Sequence, residues 1–378
     1  MSNQPDWTAV TQRAEAILGQ PITEIEQFSD DGRRNLLLRC TLGQPPYSVV
    51  IKQTLPIDDQ SDEMLAQDQL RFWQDWAGAA LLTAVSDTAI SPKFYGGDTA
   101  LSFIILEDLG TGSSLVEPLL EGDAQSAEAA LQQMMIRLGQ MHAAAIGQVE
   151  TFDDILSTLD GQAAERVQQS LPDFADLPAK LADLGVAVAG FEQELAQVKT
   201  AVSNPGPFTT YVHLDPCPDN LFMHNGRLKI IDFEQGNFGH ALRDAMYLRM
   251  SFPTCWCANR VPTAVIEACE AAYRQQLRAK LPIINDDALF NEQCLLICAF
   301  WVWNRFDRLL AYTHEQAVDW GIASVCSRLL TYLHTFIQLT DSADKLPAMR
   351  ETAVQLQTTL QAKWPETELL PYYPAFRA

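Results

Sequence analysis

The 378-residue chain is poor in cations: 26 Lys and Arg stand against 48 Asp and Glu, for a formal net charge of −22. So acidic a chain repels phosphate backbones, which argues against non-specific nucleic-acid binding and for a soluble, cytoplasmic protein. Long apolar runs are missing too. The longest, CLLICAFWVW at 294–303, is about half of the ~20 residues that span a bilayer, so it reads as a core helix and no membrane role is expected. The N-terminus MSNQPDWTAV has no basic-then-apolar leader pattern. Eight cysteines make no compact disulfide framework in a chain this long. Cys255 and Cys257 flank Trp256, but no CxxC or HxxxH partner completes a zinc set. Most of the cysteines are therefore expected to be reduced, buried small hydrophobes, and Cys255 and Cys257 to be structural.

Several catalytic signatures are also absent. No G-x-x-x-x-G-K-[ST], H-E-x-x-H or G-x-S-x-G occurs, and GTGSS at 110–114 lacks the third glycine of a dinucleotide loop. What remains is a chain with 47% hydrophobic and 20% charged residues, able to bury a large core.

The pattern along the chain divides it. DWTAVTQRAEAIL (6–18) has helical periodicity, and ITEIEQF, NLLLRCTL and YSVVIK read as strands, the last ending in Lys52. A helical stretch follows at 64–82, ISPKFYGGD supplies turns, and LSFIILEDLG (101–110) is an apolar strand. Beyond residue 110 helical patterns dominate, at 126–146, 188–203, 261–280, 288–310 and 317–340, with one strand-like island at 211–233. A small β-rich front and a helical rear predict an α+β, two-lobed fold.

The island carries the chemistry. HLDPCPDN (213–220) places one imidazole, two carboxylates and a carboxamide in a stretch that Pro216 and Pro218 bar from helix. LFMH, Asn225-Gly226 and RLKIID then have the form of a hairpin with a type I′ turn. Pairing outward from the turn returns Asp232 to the neighbourhood of Asn220, provided the ladder ends there. Asp215, Asn220 and Asp232 would thus gather at one hairpin end. Oxygen ligands of this kind suit Mg²⁺ shared with phosphates, and a third carboxylate can orient a hydroxyl and take its proton. That combination predicts phosphoryl transfer.

HLDPCPDN followed by IIDFE resembles the signature of the aminoglycoside phosphotransferase and choline kinase group, H-G-D-x-x-x-x-N, a short hairpin, then I-D-F/W-E/D. The resemblance covers roughly residues 20–250. It implies a protein-kinase-like fold with an N-terminal nucleotide-binding lobe (1–108) and a helical C-terminal lobe (109–378). It also implies an ATP- and Mg²⁺-dependent kinase acting on a small-molecule hydroxyl; an inactive nucleotide-binding scaffold is the alternative. On this resemblance Asp215 is the catalytic acid/base, His213 braces its loop, and Asn220 and Asp232 hold magnesium. Lys52 contacts the nucleotide's α/β-phosphates, SDDGRRN (29–35) with Ser29, Asp30 and Gly32 folds over the phosphates, and Glu107 to Leu109 form the hinge at adenine. Leu214 stands at the usual glycine, which predicts an ordinary backbone there. Glu63, Asp68 and Gln69 are the candidate helix partners of Lys52. His142 is expected in the core, and Asp244 to cap or brace the helix after it. Glu234, Asp219 and the acidic tail would suit an amine-bearing, cationic acceptor.

Overall fold

The computed structural model describes residues 7–29, 34–55, 60–168, 174–313, 318–341, 343 and 345–377. Asp30 and Gly32 of the expected phosphate loop lie outside the described residues. The chain forms two compact units, Met1–Gly112 with Gln148–Gln169 and Phe222–Asn237, and Ser113–Gly147 with Ser170–Leu221 and Phe238–Ala378.

The first unit is built on an antiparallel sheet of β1 (Ile22–Gln27), β2 (Asn35–Leu42), β3 (Ser48–Thr54), β4 (Phe94–Asp98) and β5 (Phe103–Glu107), in the order β1-β2-β3-β5-β4. Alternate residues face opposite sides of a strand. Leu36, Leu38 and Cys40, Val49 and Ile51, and Phe103 and Ile105 therefore share one face, packed against Val10 and Ala14 of helix α1 (Thr8–Leu18). Lys52, next to Ile51, projects from the other face. FYGGD, expected as turn, is strand β4 because it pairs with β5, with a register shift between Phe94 and Gly96 that accommodates the glycines. Helix α2 (Asp62–Val85) starts at Ser61, whose side chain accepts from the Met64 N–H at 3.3 Å, with Asp62 and Glu63 at the positive end of the helix dipole.

The second unit is helical. Asp123 and Ser126 form a capping box that starts Ala124–Ala145. This helix packs on Thr263–Leu277. A Cβ on Gly139 would stand 2.8 Å from the Gln276 Cβ, so the close approach of the two helices requires glycine there. Asp287–Leu309, Val325–Asp341, Pro347–Lys363 and Phe191–Ser203 complete the main packing, around fully buried Trp303, Phe300 and Phe306. CLLICAFWVW lies inside Asp287–Leu309, as a core helix. No helix among the described residues is long and apolar enough to cross a membrane.

Leu221–His224 and Arg227–Ile230 form the expected hairpin. Asn225 and Gly226 have φ of 49° and 71°, the pair of positive values that a type I′ turn needs.

Candidate active site

In the first unit the ammonium of Lys52 lies 2.6 Å from Asp232 Oδ1 and 2.7 Å from Asp75 Oδ2. Burial opposes its charge, but Asp232, Asp75 and Glu234 outweigh that and raise its pKa, so it is a cation at any physiological pH. The helix partner of Lys52 is thus Asp75, none of the three residues expected. Asp68 is instead taken by Arg34 at 3.3 Å and Arg71 at 3.4 Å, and Glu63 is exposed in the first turn. The signal for Asp75 was its setting: a carboxylate in RFWQDWAGAALL is buried with its neighbours, and a buried carboxylate needs a partner.

Asp75 does a second job. Its Oδ1 accepts from the Phe233 N–H at 2.9 Å, while Gln74 donates to the Gly236 carbonyl at 3.0 Å. The IDFE segment and the turn after it are therefore held by two neighbouring residues of α2. Asp232 has φ of 67°, a left-handed conformation that Asp tolerates better than most residues. Glu234 is occupied by Arg34 and accepts from Asn35 Nδ2 at 3.3 Å. Ser29 Oγ accepts from the Leu37 N–H at 3.0 Å, pinning the start of the 29–35 segment to β2. At the expected hinge, Glu107 accepts from Lys229 at 2.5 Å, and the Leu109 carbonyl lies 2.9 Å from His224 Nδ1. The hairpin strands thus fasten the segment after β5.

In the second unit, Asp244 organises the loop around Asp215. Its carboxylate accepts from the backbone N–H of His213 at 2.6 Å and of Leu214 at 2.8 Å, and His142 Nε2 lies 3.0 Å from it. Burial alone would raise the pKa of Asp244, but the bonds and charges of His142 and His213 hold it below the usual carboxylate range. Asp244 therefore braces the HLDPCPDN loop rather than only its own helix. His142 is fully buried, with Nδ1 2.7 Å from the Tyr273 hydroxyl.

This brace explains the backbone of Leu214. Leu214 has φ of 65°, the left-handed region and not the ordinary backbone expected of a non-glycine residue. Such strain costs roughly 1–2 kcal/mol. Two charge-assisted bonds to one buried carboxylate fix the two peptides that precede Leu214, and the Asp215 N–H bond to His213 fixes the one after, which together offset the strain.

His213 is fully buried, and its Nδ1 accepts from the Asp215 N–H at 3.3 Å. Asp215 Oδ1 receives two hydroxyls, from Tyr247 at 2.9 Å and from Thr254. Burial, then the charge of Asp215, pushes the Tyr247 pKa well above its usual value, so this hydroxyl stays a donor. The Asn220 Nδ2 donates to the Asp215 carbonyl at 3.0 Å. Asp219 accepts from Trp256 Nε1 at 2.9 Å.

Six cysteines are free thiols, as expected of most of them, but two are not. Cys217, inside the loop, is disulfide-bonded to Cys255 across 38 residues, with Cα atoms 5.5 Å apart. Asp215, Cys217 and Cys255 cluster within metal-ligand distance of one another, but sulfurs bonded to each other offer no thiolate to a metal. Cys257 is a buried thiol whose pKa burial pushes up to about 12.

A small antiparallel sheet with a lysine–acid pair, joined to a helical part that carries an HxDxxxxN loop, defines a protein-kinase-like fold. The sequence model of the phosphotransferase enzyme family matches residues 56–281, well over half of the chain, and the chain belongs to that family. It is a small-molecule phosphotransferase. No curated protein matches it. Among solved structures it is similar to choline kinase from Cryptosporidium parvum Iowa II, at 12% identity, covering 89% of this chain and 93% of that one with a TM-score of 0.47. An aminoglycoside phosphotransferase in ternary complex with ADP and hygromycin B is 13% identical, with 90% and 100% covered and a TM-score of 0.42. A choline/ethanolamine kinase family protein from Mesorhizobium loti is 14% identical, with 92% and 99% covered and a TM-score of 0.41.

Proposed function

We propose that this phosphotransferase moves the γ-phosphoryl group of ATP to a hydroxyl of a small molecule. The observation that carries this reading is Lys52, a buried cation held by Asp75 and Asp232 on the face of the sheet away from its core. A lysine so fixed has a use for phosphate oxygens that a surface lysine lacks. Ser29 lies at the phosphates, and the backbone from Glu107 to Leu109 meets adenine.

Asp215 takes the acceptor's proton. Its Tyr247 and Thr254 bonds fix the carboxylate's direction, and His213 fixes the loop. As the acceptor oxygen bonds to the γ-phosphorus, the bond to the β–γ bridging oxygen breaks, ADP leaves, and the hydroxyl proton passes to Asp215. Asn220 and Asp232 are the magnesium ligands. The Asn220 amide nitrogen is spent on the Asp215 carbonyl, which leaves its oxygen, the atom a hard cation prefers, as the group to present. Bound there, Mg²⁺ would neutralise charge on the β- and γ-phosphates.

The test is an acceptor screen with labelled ATP, followed by Asp215→Asn on the best acceptor. Turnover should fall about 10²–10⁴-fold, the usual worth of a positioned acid/base group, with ATP affinity unchanged. Turnover near wild type would remove Asp215 from the chemistry.

A further inference from the structure

Two arginines beside the Asp215 network are buried without an ion pair or side-chain hydrogen bond among the described residues, although the neighbouring Asp244 carboxylate favours the charge of one of them, Arg243. Arg305 is 6% exposed, and its Nε is sealed from solvent with no acceptor. Among the described residues none forms an ion pair or hydrogen bond with its guanidinium, which faces the ring of Trp320, 5.5 Å from centroid to Cζ. Arg243 is likewise 6% exposed, with Nε unpaired and its guanidinium 4.7 Å from the Phe300 ring. Arg308, one turn from Arg305, is exposed, and its charge acts on both.

Arg328 supplies the contrast. It lies over the same Trp320 ring at 4.5 Å and its Nε is likewise unpaired, yet it donates through its other nitrogens to the carbonyls of Cys255, Trp256 and Trp320 at 2.8, 3.2 and 2.7 Å. That arginine is a strut. Among the described residues Arg305 holds no acceptor, although a buried cation without an anion is among the least stable things a core can contain.

Both arginines are tied to Asp215 through one tryptophan. Trp301, one helical turn before Arg305 and on the same face, packs edge-on against Tyr247 at 5.5 Å. Its Nε1 donates to the Arg243 carbonyl at 2.9 Å. Tyr247 in turn donates to Asp215. Meanwhile the acids that would suit an amine-bearing acceptor are spent within the protein, Glu234 on Arg34 and Asp219 on Trp256.

We propose that Arg305, with Arg243 and Arg308, recognises an anionic group on the acceptor, so that the phosphorylated molecule is a hydroxy acid or a phosphorylated alcohol and not an amine. The inference rests on the phosphotransferase reading for its naming of the acceptor, but anion binding itself does not. An oxyanion accepts the paired N–H groups of a guanidinium, and holding it there would turn the acceptor's hydroxyl toward Asp215.

The first measurement needs no turnover. Melting curves of the full chain are recorded with D-glycerate, glycerol phosphate, inorganic phosphate and choline, against chloride at equal ionic strength. At least one of the two organic anions should stabilise the wild type, and which one does so separates carboxylate from phosphate. Choline should not. Arg305→Met keeps the stem, removes the unpaired charge, and should melt no lower than wild type without ligand while losing the anion response. A purely structural arginine would give the opposite pattern. In the acceptor assay, Arg305→Met should raise KM for the anionic acceptor about 10- to 100-fold, from the ~1.5–3 kcal/mol of a charged hydrogen bond, with kcat for ATP hydrolysis without acceptor unchanged. The proposal is overturned if no anion stabilises the wild type, if Arg305→Met responds to anions as wild type does, or if choline-like acceptors alone are phosphorylated. That last outcome would leave the phosphotransferase reading standing. Failure to phosphorylate any acceptor, with the anion shifts intact, would instead sink the phosphotransferase reading alone.

Discussion

At Leu214 a bulky residue sits where the backbone turns left-handed, and it does so because Asp244 holds the peptides of His213 and Leu214 together. A one-residue rule, that a non-glycine residue implies φ below zero, fails wherever a neighbour over-determines the turn. Cys217 fails its rule in the same way. Counting cysteines and their spacings cannot find a bond across 38 residues, because its geometry is set by the loop and not by the sequence between. The bond is directly checkable. Alkylation of the denatured chain without reductant should label the six cysteines that are free thiols in the structure; prior reduction should add Cys217 and Cys255. Labelling of all eight without reductant would refute the disulfide.

Elements repeat this lesson on a larger scale. The hairpin was legible because Asn-Gly and flanking alternation are local signals, and β2, β3 and β5 were legible because each is a run of apolar and β-branched residues. Strand β4 was hidden, since its glycines read as turn until β5 is there to pair with them. Asp75 was hidden for a related reason: along α2 several acids lie in the range a sheet lysine could meet, and only the packing of Trp73, Trp76 and Phe72 decides which carboxylate is buried at its tip. The HLDPCPDN loop itself was readable, but its brace, thirty residues on at Asp244, was not. Asp244→Asn tests the brace. Asparagine keeps one acceptor and loses the charge that both backbone amides and His142 share. We expect a loss of roughly 2–4 kcal/mol, the scale for breaking a buried charged network, read by urea denaturation at an unchanged m-value. A stability equal to wild type would show that the loop holds itself.

For the whole molecule the decisive quantity is how nucleotide and metal together change stability. If Asp232 and Asn220 take Mg²⁺ with ATP, stabilisation by nucleotide must require the metal. At 100 times its Kd the ligand adds about 2.7 kcal/mol to the folded state. At roughly 2–4 °C per kcal/mol for domains somewhat smaller than this one, the melting temperature should rise by at least a few degrees. Asp232→Ala should abolish most of that rise. Its effect without ligand is small but not zero: Lys52 loses one of two partners, Asp232 being 34% exposed, and keeps Asp75 at 2.7 Å. A partly exposed ion pair is worth about 0–1 kcal/mol, so the unliganded variant should melt only slightly below wild type. Curves with ATP alone, Mg²⁺ alone and both, for each protein, separate the two terms. Equal stabilisation by ATP in the presence of a chelator, or a variant that responds as wild type does, would rule Asp232 out as a metal ligand.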